Sequence, residues 1–323
     1  MELMMSAMLP EANTIASSDR LSDALRRAIE QVNTLVLGKP KEIELAFACV
    51  MAGGHLLIED LPGLGKTTLA RAMAATLGLS FQRLQFTADL LPSDILGVSV
   101  YEANAQSFRF HPGPVFTQLL LADEINRAPP RTQSALLEAM AEQQVSIDSR
   151  SHHLPDPFFV IATQNPVDLA GTFALPDSQL DRFLLRLSMG YPDAAAERAM
   201  LAGEDRRQMI SHTQAVFGTN DVLQLRQRVG AIHTSATLIA YVQRLLAESR
   251  RHPGIQAGLS PRAGLALLQV SRAIALLRGR AHVLPDDVQY VFPAVASHRL
   301  VTQADTEDRD TLALKILSVV AVD

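Results

Sequence analysis

Between His55 and Leu77 the apolar triplet Leu56-Leu57-Ile58 runs into Asp60-Leu61-Pro62-Gly63-Leu64-Gly65-Lys66-Thr67-Thr68 and then into a stretch of helix formers. No other feature of the chain restricts its fold as much. A short unbroken apolar run is the signature of a strand covered on both faces, and such strands belong to parallel sheets. Proline and two glycines separate it from the helix that follows. A loop of this kind turns backbone N–H groups inward on a phosphate chain, and the next helix aims the positive end of its dipole at the same anion. Lys66 adds a point charge for the outer phosphates, and Thr67 adds a hydroxyl for Mg2+. The pattern G-x-x-x-x-G-K-[ST] usually begins on glycine, where this chain has Asp60. A strand-to-helix turn with an incidental lysine is the plain alternative; the matching flanks favour nucleotide binding.

Leu119-Leu120-Leu121-Ala122 repeats the buried-strand signature and ends in Asp123-Glu124. Open α/β sheets place ligands at the carboxyl ends of their strands, so two carboxylates there complement a phosphate loop. Asp123 is read as holding Mg2+ through water alongside Thr67, and Glu124 as polarising the attacking water. Phe158 to Ala162 is a further buried strand, followed by Thr163-Gln164-Asn165-Pro166. The Asn165 amide can hold the γ-phosphate or the lytic water, or it can simply shape a turn before proline. Leu175 to Phe183 leads into a last strand, Leu184 to Leu187. Its Arg182 is either a local partner of Asp181 or Asp177 or a group that reaches a phosphate in a neighbouring subunit.

Helical periodicity marks Leu21 to Val36 and Lys41 to Met51, and Phe81 to Phe86 reads as a strand. A short helix stops at Gly97. Val98, Val100, Phe108 and Phe110 then alternate around a polar tip, which predicts a hairpin whose apolar residues serve packing. Pro129-Pro130 opens a helix carrying Leu136, Leu137 and Met140 on one face, and Val145 to Leu154 reads as a second hairpin. After Tyr191-Pro192-Asp193 the strand pattern gives way to helices near 194–202, 221–229, 236–248, 261–277, 285–295 and 306–320. Ser260-Pro261-Arg262 is a helix start, so Arg262 is either a solvated first-turn residue or one that leans over the nucleotide as a lid closes. The organisation expected is a mobile leader over 1–20, an α/β nucleotide-binding core over 21–191 and an all-helical lid over 192–323.

A chain of 323 residues with 48% hydrophobic content can bury a large core. Its formal charge of −5 gives no global drive toward nucleic acid. Cys49 is the only cysteine, which rules out an intrachain disulfide framework and a cysteine-based zinc site. His55, His111, His298 and the His152-His153 pair do not form a metal-ligand pattern. No apolar stretch is long enough to span a bilayer, and the N-terminus lacks a basic cluster before an apolar run. The expectation is a cytoplasmic protein.

With these pieces in order, the chain resembles the MoxR family of AAA+ ATPases over roughly residues 20 to 300. The carrying motifs are Glu59 to Thr67, Phe86 to Gly97, Pro112-Gly113-Pro114-Val115-Phe116, Leu121 to Met140, Ala162 to Pro166 and Leu180-Asp181-Arg182-Phe183. In that family Asp60 is an accepted variant of the first glycine. The resemblance implies a parallel five-stranded AAA+ core with two hairpin inserts and a helical lid. It also implies ATP with Mg2+ as cofactors, held by Gly63, Leu64, Gly65, Lys66, Thr67, Thr68 and Asp123. Glu124, Lys66, Asn165 as sensor 1 and Arg182 as arginine finger would carry catalysis, with Arg262 as sensor 2. The inserts would face a ring pore or a partner. After Asn165-Pro166 the family tends toward acidic and glutamine residues, whereas this chain has Val167-Asp168-Leu169-Ala170, so an inter-subunit role for that loop stays open.

The implied assembly is a homo-oligomeric, hexameric ring that acts as a remodelling chaperone with a von Willebrand factor A domain protein. The ATPase subunit of a metal chelatase and a nucleic-acid motor are alternatives within the clade, the second disfavoured by the acidic balance. A nucleotide-gated binding module with little turnover is a further alternative, against which Glu124 argues.

Overall fold

The computed structural model describes residues 11–104, 106–166, 171–203, 206–303 and 307–322, with side chains from Leu21 onward. The leader expected before Leu21 falls partly outside these residues, as does the whole of 167–170. Helix α1, Glu11–Leu35, begins ten residues earlier than its apolar periodicity indicates. It is followed by α2, Pro40–Met51, whose proline occupies the first turn, where its missing N–H costs nothing.

The sheet comprises β1 (Leu56–Glu59), β2 (Phe81–Gln85), β5 (Leu119–Asp123), β8 (Phe159–Gln164) and β9 (Leu185–Leu187), in the order β2-β5-β8-β1-β9. Every neighbouring pair is parallel. Because side chains alternate across a strand, the apolar runs sort themselves onto two faces. Leu56, Ile58, Leu119, Leu121, Phe159 and Ile161 join one core, while Leu57, Leu120, Ala122, Val160 and Ala162 join the other. The first core continues through α1, α2 and α3 (Lys66–Leu77) into the C-terminal helices, so sheet and lid share one apolar interior. The second is closed by α4 (Pro92–Leu96) and α5 (Pro130–Glu142). Each fully covered Leu, Ile or Phe contributes about 1.5–3 kcal/mol.

Two antiparallel hairpins leave this frame: β3 (Gly97–Glu102) with β4 (Ser107–Pro112), and β6 (Gln144–Ile147) with β7 (Arg150–His153). The apolar residues of the first do not pack as expected. Val98, Val100, Tyr101 and Phe108 are exposed, Phe108 to 68%; the Tyr101 and Phe108 rings meet edge to face, and Phe110 rests on Phe116 and His152. The register pairs Val100 with Arg109 and Tyr101 with Phe108, so Val98 and Val100 lie on one face of the ribbon and Tyr101, Phe108 and Phe110 on the other.

Beyond β9 lie α7 (Ala194–Ala202), α8 (Arg206–Ser211), α9 (Thr219–Ala231), α10 (Ala236–Arg251), α11 (Pro261–Leu277), α12 (Pro285–Ala296) and α13 (Arg309–Val319). This region is not purely helical. β10, Ile255–Ala257, pairs antiparallel with β11, Val301–Thr302, in segments too short to show periodicity. Ser260 caps α11, its hydroxyl accepting from Ala263 N at 3.2 Å with Pro261 in the first turn, and this fixes where Arg262 emerges. Among the described residues no helix is long and apolar enough to cross a membrane. α6, Asp177–Leu180, is a single turn leading toward β9.

Candidate nucleotide site

The parallel register brings the ends of four strands to one edge, pairing Gln85 with Asp123 and Glu59 with Gln164. The residues that follow β1, β5 and β8 are Asp60, Glu124 and Asn165. Gly63 and Gly65 have φ of 83° and 88°, left-handed values that favour glycine, and nothing lies within 4 Å of where a Cβ would stand on either. The loop therefore encloses open space lined by backbone, with α3 starting at Lys66 immediately behind it.

Asp60 has a definite task in this loop. Its carboxylate accepts from Leu61 N at 2.8 Å, Gly190 N at 2.6 Å and Ser188 Oγ at 3.1 Å, tying the loop to the chain leaving β9. Burial raises its pKa, but the hydrogen bonds from Gly190, Leu61, Ser188 and Met189 outweigh that and hold it below the usual carboxylate range. Glycine could make none of these bonds. The Lys66 ammonium donates to the carbonyls of Asp60 and of Leu61, the latter at 2.9 Å. Burial lowers its pKa, opposed by the charges of Asp60, Asp123 and Glu124.

Both carboxylates after β5 are engaged by residues that sequence reasoning missed. Asp123 Oδ1 accepts from Thr163 Oγ at 2.6 Å, while Oδ2 takes two bonds from Arg83, at 2.6 and 3.1 Å. Glu124 Oε2 accepts from Gln85 Nε2 at 3.0 Å and pairs with Arg127 Nε at 2.7 Å. Its backbone has φ 55° and ψ 51°, a left-handed conformation that a non-glycine residue adopts at a cost of about 1 kcal/mol. The fully buried Thr163 accepts from Glu124 N at 2.9 Å, so one hydroxyl fixes both acids. The available signal was the spacing of Arg83 and Gln85, two apart on β2 and hence on one face beside β5.

An open glycine loop at the start of a helix, a lysine, a hydroxyl and a carboxylate suit a triphosphate with a divalent cation, so Lys66, Thr67 and Asp123 would hold that pair. Asn165, 91% buried at the end of β8, lies on the same edge.

Arg182 and Arg262 are not brought to this edge. Leu184 N donates to His55 O at the amino end of β1, the end opposite Asp60, so the segment bearing Arg182 lies roughly 16 Å from the loop along the strand. Arg182 donates to Leu137 O at 2.9 Å, and Arg262 stands 3.7 Å from Asp181. Both line a cavity of about 510 Å³ that also touches His55, Gln143, Arg272 and Arg299. Arg262 therefore lies away from this chain's own phosphate loop. α11 packs on α2 and α9, which sets its N-terminus at the amino edge of the sheet. His55 and His298 are buried structural residues. His55 Nε2 meets Met140 O at 3.3 Å while Nδ1 accepts from Val160 N at 3.0 Å, and burial takes its pKa down to about 4.

Residues 55–185 match the model of the ATPase family associated with various cellular activities (AAA), and residues 247–314 match an AAA lid domain. The chain is 39% identical over 292 residues to Chaperone MoxR1 of Mycobacterium tuberculosis, covering 87% of this chain and 76% of that one. It is 34% identical over 310 residues to Protein MoxR of Paracoccus denitrificans, covering 88% and 90%. A crystal structure from Cytophaga hutchinsonii, described as a candidate ATPase, superposes with a TM-score of 0.87 at 34% identity, over 96% of this chain and 98% of that one.

Proposed function

Because this chain belongs to the MoxR family of AAA ATPases, we propose that it hydrolyses ATP at a site shared between neighbouring chains and uses the energy as a chaperone that remodels partner proteins. One observation carries the proposal: the phosphate loop and both acids lie at the carboxyl edge of the sheet, while Arg182 and Arg262 emerge at the amino edge. A single chain has both halves of a site and cannot bring them together. In a hexameric ring, each chain lends its arginines to the next.

In this reading Gly63, Leu64, Gly65, Lys66, Thr67 and Thr68 hold the triphosphate. Thr67 and Asp123 would hold Mg2+, which would supply neutralisation of the phosphate charge. Glu124 orients the attacking water once it leaves Gln85 and Arg127, and Asn165 steadies that water or the γ-phosphate. Arg182 of the adjoining chain stabilises the charge of the transition state, a contribution of about 10³ to 10⁵ in rate. Arg262 assists from the same side. The exposed apolar residues of the β3–β4 hairpin supply the contact with a partner, for which a von Willebrand factor A domain protein is the candidate.

The test is capture from native lysate on tagged Glu124→Gln in ATP, with mass spectrometry of what ADP then releases. A von Willebrand-type protein together with a specific enzyme complex supports the chaperone role. Recovery of chelatase subunits alone, or of nucleic acid with its processing enzymes, overturns it and leaves the ATPase assignment untouched.

A further inference from the structure

The lid holds the segment around Arg182 by a contact that none of the motifs predicts. Arg299 ends the 3-10 turn Ser297–Arg299 after α12, and its side chain is only 5% exposed. Its Nε donates to Asp181 Oδ1 at 2.7 Å. Its two terminal nitrogens reach the carbonyls of Phe183 at 2.7 Å, Leu184 at 3.1 Å and Asp181 at 3.4 Å, together with Val295 O at 2.5 Å in its own helix. All but one of these acceptors belong to 181–184, so the guanidinium grips the backbone on both sides of Arg182. His298 adds a contact from Nε2 to Phe183 O at 3.0 Å, and Arg309 reaches Asp177 at 3.1 Å.

Burying a guanidinium costs several kcal/mol unless its donors are matched, and here the planar fork is matched. Apolar packing already joins the lid to the sheet in one core, and the bonds of Arg299 add a polar attachment at 181–184. The grip takes the backbone and not the partly buried Arg182 side chain, which donates to Leu137 O. We propose that Arg299 is a positioning residue for Arg182, so that the lid of one chain sets the arginine presented to the next chain's ATP. The proposal rests on the reading of Arg182 as a group that acts on a neighbour's site. It makes the lid a transmitter. Any displacement of the segment that carries Arg299 would pull on 181–184 and thereby change hydrolysis one subunit away.

The test compares Arg299→Ala, Arg299→Lys and Arg182→Ala, with melting curves and sedimentation to establish fold and assembly. Arg299→Ala is expected to lower turnover at least about tenfold while changing affinity for a fluorescent ATP analogue by less than about twofold. Arg299→Lys should fall between it and the unmodified protein, because an ammonium cannot span the same acceptors. Each variant is then mixed with Glu124→Gln, which lacks the base and keeps an intact finger segment and lid. Turnover should return in the mixture, since a chain carrying Arg299→Ala has an intact site of its own that a Glu124→Gln neighbour can complete. Arg182→Ala mixed with Glu124→Gln is the control for the underlying reading. If that control recovers and the Arg299 variant does not, Arg299 acts on its own chain and the positioning role is overturned, while Arg182 stands. If the control also fails to recover, the shared-site reading falls and takes this proposal with it. Unchanged turnover in Arg299→Ala, or in Arg299→Lys should the alanine variant not fold, overturns the proposal directly.

Discussion

Asp60 breaks the usual phosphate-loop pattern and strengthens the loop that contains it. Two of its three hydrogen bonds join the loop to the chain leaving β9, so Asp60→Gly, which restores the pattern, should destabilise the protein by about 1–3 kcal/mol in urea unfolding. A variant as stable as the parent would show that the carboxylate is dispensable. Because its folded pKa lies below the unfolded value, this stabilisation is fully present above the ordinary carboxylate value and is lost as pH falls from there through the lower folded value. The buried histidines act over a higher window. Burial lowers both His55, to about 4, and His298, where the Arg299 charge adds to the effect. The unfolded chain therefore takes up these protons first. Stability should hold above about pH 7 and decline from about pH 6.5 toward 4, with His55 alone accounting for up to roughly 3 kcal/mol. Melting temperatures across that range check this, and a curve flat from pH 7 to 4.5 would contradict it.

At the scale of elements, the β3–β4 hairpin carries the clearest consequence. Val100 and Phe108 are exposed and support no core, so Val100→Ser and Phe108→Ser together should change stability by less than about 1 kcal/mol. The same pair should abolish partner capture on the ATP-locked protein. Capture at full yield would remove the hairpin from the partner surface. The sequence predicts this hairpin through its alternation, but alternation marks a strand without telling which face another element covers. The central strands were legible because runs such as Leu119 to Ala122 are apolar at every position, and their polar ends marked Asp123, Glu124 and Asn165. Arg83, Gln85 and Arg299 were not legible, since each acts across strands or between lid and sheet, over separations that no local pattern encodes. The early start of α1 and the short β10–β11 pair escaped for a simpler reason: neither carries enough apolar periodicity to register.

For the whole molecule, the sheet's polarity has the largest consequence. Parallel strands put Asp60, Asp123, Glu124 and Asn165 at one edge and the start of β9, with Arg182 ahead of it, at the other. Two chains set edge to edge can complete a site that one chain cannot. Arg262, Arg182 and Asp181 come together at that amino edge with Arg299 beneath them, so the lid takes part in the edge it presents. The most direct measurement of this claim is ATP turnover per chain across a dilution series, with the mass of the assembly followed in the same solutions. The account predicts that turnover per chain falls as rings dissociate, while each separated chain still binds nucleotide. Turnover per chain that stays constant down to the monomer would contradict it.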